Sequence, residues 1–555
     1  MRHIFLIGLS GSGKSTVGRL LAQQVHVPFY DLDTLIEEQR GASIPTIFSS
    51  YGEAYFRDCE SRVLAEVIAS TPSAVISTGG GIVLREENRA LMASHGIRIL
   101  LSVDAATALA RLQHQHIMAR TQGVSPEVRP LLAGPDPLAA LQTLWETRKQ
   151  YYEEAEYICS TRDKSPEHVA REILTMLQAH EAEHTEPIRR HITIGDGYDV
   201  IVDWTGLERL ADYVRQLSLP SRIFIFTDSN VGRLYGQNVV EQLTHAGFEP
   251  HLYTVPAGEA SKSQQQLSAM YDWLMEQRAE RKEAIIAFGG GVIGDMAGFA
   301  AATYLRGVPL IQIPTSLLAQ VDAAIGGKTG INHPKGKNLI GAFYHPRLVF
   351  VDPSLLLTLP TRERTEGWAE IVKCGIILDA GLFEQLEANV DILRTFTHPP
   401  IALVNQIVAR CIDLKAMIIE EDEREQGRRA ILNYGHTIGH ALEQVTGYGT
   451  YLHGEAVSIG MVVAAELACR AGLFSTEDAQ RQNALLEKFG LPVSYDGRGQ
   501  VSVNALLNAT LQDKKVAQKQ VRWIMPHRIG DVMVTTLPDA LVREVVTSFF
   551  SGERP

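Results

Sequence analysis

Residues 4–16 read Ile-Phe-Leu-Ile-Gly-Leu-Ser-Gly-Ser-Gly-Lys-Ser-Thr, an apolar run that breaks into glycines and closes on Lys14, Ser15 and Thr16. From Gly8 to Ser15 the spacing fits G-x-x-x-x-G-K-[ST], after a strand-like segment and ahead of a helical pattern. Main-chain N–H groups around Gly11, Ser12 and Gly13 can close on phosphates there, and the helix that follows adds its positive end. Lys14 would reach the β- and γ-phosphates, and the Ser15 hydroxyl would ligate Mg²⁺. The expected neighbours are buried parallel strands at residues 4–9, 74–78 and 98–103, with helices between them, and a closing amphipathic helix over 166–180. A nucleotide-binding α/β domain is therefore expected at the start of the chain.

The whole sequence, 555 residues with a formal net charge of −12, is too long for one hydrophobic core. Its acidic balance gives no general attraction to nucleic acid or anionic lipid, so anionic ligands need local basic clusters. The N-terminal apolar run is too short for a signal peptide or a membrane span. Five scattered cysteines, none in C-x-x-C spacing, fit reduced thiols in the cytoplasm and neither a disulfide framework nor a thiolate zinc site. Segments 181–190, charged and carrying Pro187, read as a linker. Strand candidates resume at His191–Gly195, Val200–Trp204, Arg222–Asp228 and Glu283–Gly291, and from Ser354 the periodicity turns mostly helical.

In the first segment an acceptor site is suggested by several short patterns. Asp31-Leu32-Asp33 follows an expected second strand, where a carboxylate meets either an acceptor hydroxyl or the water shell of the metal; a helix N-cap is the plainer role. Phe48-x-x-x-Gly52-Glu53-x-x-Phe56-Arg57-x-x-Glu60, Thr78-Gly79-Gly80-Gly81, Arg129-Pro130-Leu131-Leu132 and Arg148 ahead of Tyr151-Tyr152 follow. A lone arginine is ordinarily a solvated surface residue. Arg57 and Arg148 become candidates because a small carboxylate needs forked donors, and Arg129 because a lid arginine stabilises transferring charge. In combination these residues resemble shikimate kinase over residues 1–177. The resemblance implies ATP with Mg²⁺, a shikimate site at Asp33, Arg57, Gly80 and Arg148, catalysis by Lys14 and Asp33, and Arg129 on ATP from a lid.

Further on, Phe288-Gly289-Gly290-Gly291-Val292-Ile293-Gly294-Asp295 ends a strand and opens a helix, as a tight turn or a pyrophosphate loop would. Basic residues accompany the later glycines: Arg306, Lys328 and Lys337, with Asn338. That is what a phosphorylated ligand needs. His436 and His440 stand one turn apart, His453 follows, and Glu370 offers a carboxylate. Three protein ligands with an open position is the catalytic zinc pattern, although an i, i+4 histidine pair is as readily a surface coincidence. Thr437 stands where a zincin would carry its glutamate, which removes a metallopeptidase.

From His191 onward the sequence is similar to 3-dehydroquinate synthase, through Pro256–Lys262, the glycine triplet, 306–332, 336–343, 367–373, 432–443, 452–461 and 513–515. The resemblance implies metal ligands Glu370, His436 and His453, for Zn²⁺ or Co²⁺, and moves His440 to the substrate phosphate. It assigns NAD⁺ to Glu259, Lys262, Gly291, Val292, Ile293, Gly294, Asp295, Thr315, Ser316, Lys328, Lys337 and Thr358. Substrate falls to Arg306, Asp322, Lys328, Asn338, Lys373, Lys415, Arg429, Asn433 and Lys514, with Lys328, Lys373 and His440 in catalytic roles. Ala257 departs from the acidic residue common at its position. The expected fold class is α/β: a P-loop kinase with a parallel sheet (1–177), a linker (178–190), a Rossmann-like NAD-binding domain (191–353) and a mostly α-helical metal-binding domain (354–555). A bifunctional cytoplasmic enzyme acting on small molecules, with no nucleic-acid or membrane partner and dimeric through its second half, is the expectation. Another sugar-phosphate cyclase or a metal-dependent polyol dehydrogenase is the alternative for that half.

Overall fold

Mostly buried strands feed the two large sheets of this protein, whose computed structural model describes residues 3–121, 135–497, 500–512, 516–517 and 520–551. Arg129 and Lys514 lie outside the described residues. The chain divides into two compact units between Glu183 and His184.

In the first unit, β1 (His3–Ile7), β2 (Phe29–Asp31), β3 (Val75–Ser77), β4 (Gly96–Ser102) and β5 (Tyr157–Ser160) form one parallel sheet in the order β2-β3-β1-β4-β5. Alternation along β1 splits the core. Ile4 and Leu6 pack with Val17, Leu21, Ile173 and Leu177, whereas Phe5 and Ile7 pack with Leu32, Ile36, Ile47 and Phe56. Helices cover both faces, so the strands read as near-continuous apolar runs. The chain leaves β1 toward β2 on one side, and leaves β3 toward β4 on the other. The crevice between the carboxyl ends of β1 and β3 is thus a topological switch point, the ligand position in open α/β sheets. Gly8 and Gly79 stand at those two strand ends.

The expected link over 178–190 is mostly regular structure. The helix Pro166–His184 runs past residue 180, and β6 (Ile188–Ile192) starts directly after Pro187. Only 185–187 are irregular, because proline disfavours helix in the residue before it and cannot extend one itself. The expected strand over 191–195 is displaced for a related reason. β6 pairs antiparallel with β7 (Tyr198–Val202), and the hairpin turn between them uses Gly195 and Gly197 at φ 62° and 75°.

In the second unit β8 (Arg222–Asp228), β9 (Glu249–Val255), β10 (Ala284–Gly289), β11 (Leu310–Pro314) and β14 (Leu348–Val351) join β6 and β7 in the order β6-β7-β14-β11-β10-β8-β9. All neighbours are parallel except β6 and β7. The order reverses between β8 and β10, which places a second switch point beside the glycine triplet at residues 289–291. A separate hairpin of β12 (Lys328–His333) and β13 (Gly336–Phe343) follows. From Thr361 the chain is helical, built round the helix His453–Arg470, most of which is buried on every side. A late hairpin, Trp523–Arg528 with Asp531–Thr535, stands within residues 354–555, which were expected to be mostly α-helical. Among the described residues no helix is long and apolar enough to cross a membrane.

Two candidate active sites

Beyond β1 the chain turns through Gly11 and Gly13 at φ 83° and 96°, a backbone that side chains rarely adopt. The helix Lys14–Gln24 then begins on Gly13 with no side-chain cap, so its first N–H groups are available to an anion. Lys14 folds back along the loop, its Nζ donating to Gly8 O and Leu9 O at 2.9 Å each. Ser12 is fully buried under the loop, whereas Thr16 is exposed in the first helical turn. Ser15 Oγ donates to Asp31 Oδ2 (2.6 Å) and lies 3.3 Å from Ser77 Oγ. A hydroxyl and a carboxylate at the mouth of the phosphate loop are hard oxygen donors, and they fit Mg²⁺.

Opposite the loop lies a basic and acidic cluster. Arg57 is nearly buried; its Nη1 donates to Glu60 Oε2 (2.5 Å), and Nη2 and Nε donate to Glu53 Oε1 (2.8 and 3.2 Å). Glu60 is itself buried; burial raises its pKa, against the pull of the Arg57 guanidinium. The glycine triplet makes room for these groups. A Cβ on Gly81 would lie 2.1 Å from Arg57 Nη1, and one on Gly79 would lie 2.4 Å from Glu60 Oε1 and 2.9 Å from Asp33 Oδ1. On Gly80 it would lie 3.4 Å from Arg148 Nη1, and Gly80 O accepts from Tyr152 OH (2.5 Å). Asp33, Arg57, Gly80 and Arg148 therefore converge as the sequence suggests. The N-cap position of the helix Leu32–Arg40 belongs to Asp31, and Asp33 stands in its first turn. Of the D-x-D pair it is Asp31 that meets the Ser15 hydroxyl, a division of roles the sequence leaves open.

At the second switch point the helix Gly291–Thr303 starts on Gly290, again without a side-chain cap. Ile293 is buried against Gly289, where a Cβ on the glycine would lie 2.7 Å from the Ile293 side chain, while Val292 is half-buried. Gly294 stands where a Cβ would be 3.0 Å from Gln312 Oε1. Lys262 Nζ pairs with Asp295 Oδ2 and donates to Asn338 Oδ1 (2.5 Å), and Glu259 accepts from Asn332 (2.7 Å). Thr315 N donates to Gly289 O (3.0 Å), Ser316 Oγ accepts from Ala319 N (3.3 Å), and Thr358 Oγ1 lies 2.7 Å from Tyr235 OH. An uncapped helix start at a switch point, rimmed by charged and hydroxyl groups, fits a dinucleotide.

Beside that crevice lies a dense charge network. Lys415 Nζ donates to Asp322 Oδ1 (2.7 Å) and Asp322 O (2.6 Å). Burial lowers the Lys415 pKa; burial would raise Asp322, but Lys415 and Lys373 pull it below the usual carboxylate range. Glu425 bridges Lys328 Nζ and Asn433 Nδ2, both at 2.5 Å, and the buried Arg429 donates to Glu423 O. Arg306 stands apart on the surface at φ 67°, and among the described residues it bonds to none of these groups.

Glu370 is buried on the helix Thr361–Leu378. Its Oε1 is 3.6 Å from His436 Nε2 and 3.7 Å from His453 Nε2, and its Oε2 pairs with Lys373 Nζ. At those distances Oε1 is left without a hydrogen-bond donor among the described residues, while Oε2 is held by Lys373. The far ring nitrogens are engaged: His436 Nδ1 with Tyr434 O (3.1 Å) and His453 Nδ1 with Glu443 Oε2 (3.3 Å). Each Nε2 is thereby turned to Glu370, the orientation in which metal-ligating imidazoles are held. Burial would raise Glu370, but Lys373 and His453 hold it at about 2; burial would lower His453, but Glu370 and Glu443 push it up to about 10. A carboxylate with two oriented imidazoles suits Zn²⁺ or Co²⁺. His440 joins the cluster, its ligating nitrogen within 4.8 Å of those of His436 and His453, and it is the exposed member. The structure thus brings all four residues together. Glu443 and Glu425, which brace the charged groups here, escaped the sequence reading: Glu425 lies in a polar run that reads as solvated, and Glu443 meets Lys337 from far away in sequence.

Comparison with known proteins agrees with this division. The shikimate kinase family model matches residues 10–178, and the N-terminal and C-terminal models of 3-dehydroquinate synthase match 252–366 and 367–516. The 3-dehydroquinate synthase of Nostoc punctiforme is 47% identical over 352 residues, 63% of this chain and 96% of that protein. That of Acaryochloris marina is 44% identical over 360 residues, 64% of this chain and 95% of that protein. Among solved structures, 2-deoxy-scyllo-inosose synthase complexed with carbaglucose-6-phosphate, NAD⁺ and Co²⁺ is 27% identical with a TM-score of 0.60, covering 65% of this chain and 100% of its own. The 2-epi-5-epi-valiolone synthase of Streptomyces hygroscopicus, with NAD⁺ and Zn²⁺ bound, is 28% identical with a TM-score of 0.58, covering 63% and 96%. The chain belongs to the 3-dehydroquinate synthase family and carries a shikimate kinase domain ahead of the synthase, which makes it a bifunctional enzyme of the shikimate pathway.

Proposed function

We propose that the two sites described above perform the two reactions, with residue roles as follows. In the kinase, the loop N–H groups and Lys14 hold the ATP phosphates, and Ser15 with Asp31 holds Mg²⁺. Arg57, Arg148 and the Gly80 main chain fix shikimate by its carboxylate and ring hydroxyls, with Asp33 beside the 3-hydroxyl that takes the γ-phosphoryl group. Arg129, outside the described residues, is assigned to ATP.

In the synthase, Glu370, His436 and His453 hold a divalent cation, and NAD⁺ lies over Gly291–Asp295 with Glu259, Lys262, Thr315, Ser316, Lys337 and Thr358 around it. Bound together, these groups supply reversible hydride removal and polarisation of a ring hydroxyl and ketone, so that 3-deoxy-D-arabino-heptulosonate 7-phosphate becomes 3-dehydroquinate and phosphate with no net redox change. Lys415 and Arg429 orient the substrate carboxylate, and His440 faces the departing phosphate. Lys373 keeps a fixed positive charge beside Glu370, where burial would lower its pKa but the carboxylate raises it. Asp322, Lys328, Asn338, Asn433 and Lys514 complete the substrate shell.

The observation that carries this reading is the convergence of a buried carboxylate and two oriented imidazoles beside the uncapped helix. Glu370→Ala should lose bound metal by elemental analysis and lose phosphate release, yet keep shikimate phosphorylation. Full metal content in that variant would contradict the ligand set. We also assign a homodimer through the synthase half, with Arg306 reaching the neighbouring subunit, and a cytoplasmic location. Light scattering on the full chain, which reads a monomer or a dimer directly, tests the first.

A further inference from the structure

Glu443 lies on the helix His436–Thr446, and it is buried, with 4% of its surface exposed. Its two carboxylate oxygens face different parts of the synthase. Oε2 meets His453 Nδ1 at 3.3 Å, and Oε1 accepts from Lys337 Nζ at 3.1 Å. Lys337 belongs to β13, one residue from Asn338, whose side chain accepts from Lys262; Lys262 in turn pairs with Asp295 on the helix that opens at Gly291. The Lys337 ammonium also sits 4.3 Å from the centroid of the Tyr448 ring, so it is shared between an anion and an aromatic face. Unlike Glu443, Lys337 is part-exposed.

From this arrangement we infer that Glu443 is a positioning residue that fixes His453 as a metal ligand and, through Lys337, couples the affinity for the metal to that for NAD⁺. The inference rests on the cofactor and metal assignment given above. A carboxylate on the far nitrogen of a ligating histidine sets its tautomer and raises its basicity. Lys337 competes for the same carboxylate. When an anionic cofactor draws the ammonium away, Glu443 concentrates its charge on His453, and the metal is held more tightly. Linkage requires the metal to strengthen NAD⁺ binding by the same factor.

The test is titration of the metal-free full-length protein with Co²⁺, followed by its visible absorption bands and by calorimetry, with and without NAD⁺. In the wild type, NAD⁺ should tighten Co²⁺ binding about fivefold or more. Glu443→Gln should weaken Co²⁺ binding about 10- to 100-fold, alter the absorption bands and abolish the NAD⁺ effect. Lys337→Met, which leaves the His453 contact in place and removes the competing ammonium, should hold Co²⁺ without NAD⁺ as tightly as the wild type does with NAD⁺, and NAD⁺ should then tighten it no further. It keeps the inference testable where Glu443→Gln fails to fold. A purely structural tie between Glu443 and Lys337 would lower thermal stability in both variants while leaving spectrum and coupling unchanged, and that result overturns the inference. Wild-type protein that takes up both ligands with no mutual effect overturns it as well. Wild-type protein that takes up neither refutes the cofactor assignment itself, and the inference with it.

Discussion

Gly81→Ala isolates what the glycine triplet does in the kinase. Gly81 has φ −100° and ψ −2°, a conformation open to any residue, so the substitution strains no backbone. The added methyl would instead lie 2.1 Å from Arg57 Nη1 and 2.4 Å from both Cζ and Nη2. Moving Nη1 from 2.1 Å out to an ordinary 3.4 Å contact displaces the guanidinium by about 1.3 Å, a shift of the size that disables positioning residues. The Arg57–Glu60 contact of 2.5 Å cannot survive that shift unchanged, and neither can a fork aimed at the shikimate carboxylate. Loss of one charge-assisted hydrogen bond is worth about 1.5–3 kcal/mol, so KM for shikimate should rise about 10- to 150-fold. A coupled ADP-release assay with shikimate and ATP varied separately reads this directly, and KM for ATP should stay within about twofold of the wild type, because the phosphate loop has no part in the clash. An unchanged shikimate KM, or an equal rise for both substrates, would refute the reasoning.

Other outcomes follow from the same geometry. Arg57→Lys should raise the shikimate KM by a comparable factor, since a point charge cannot span Glu53 and Glu60 as the fork does; a KM that tracks net charge alone contradicts it. Tyr434→Phe removes the donor to Gln482 Oε1 (2.8 Å) inside the helical part and should destabilise the synthase unit by about 1–3 kcal/mol, read as a lower urea midpoint at unchanged slope. An unmoved midpoint would mean that water or another donor replaces the hydroxyl. Dipicolinate with Mg²⁺ in excess should stop phosphate release and spare shikimate phosphorylation, and added Zn²⁺ or Co²⁺ should restore the former. Failure of both ions to restore it would argue against a metal at Glu370, His436 and His453.

Both sheets were readable because parallel strands buried on two faces are continuous apolar runs, as in Ala284–Gly289, where every residue is buried. Element ends were less so. The helix that runs to His184 and the strand that starts at Ile188 depend on Pro187 and on a glycine hairpin, neither of which a periodicity encodes. The late hairpin at 523–535 is decided by packing: Gly530 N donates to Ile376 O (2.8 Å), far away in sequence. In the sites, His436, His440, His453 and Glu370 were all visible as ligand candidates, but the local spacing favoured the i, i+4 histidine pair, and only family resemblance set His440 aside. Glu443 and Glu425 act on partners 106 and 97 residues distant, and a local pattern cannot show such a contact. Asp31 and Asp33 stand two residues apart, and only their contacts separate them, Asp31 meeting Ser15 and Asp33 lying beside Gly79.

Two separable active centres on one chain lose their activities one at a time, which a paired measurement on purified full-length wild type and Lys14→Ala reads: phosphate release from 3-deoxy-D-arabino-heptulosonate 7-phosphate with NAD⁺ and Zn²⁺, and ADP release with shikimate. The wild type should show both, and Lys14→Ala should lose the second while keeping the first at its full rate. Loss of both activities in Lys14→Ala, or a wild type that oxidises a polyol to accumulate NADH and releases no phosphate, would contradict it.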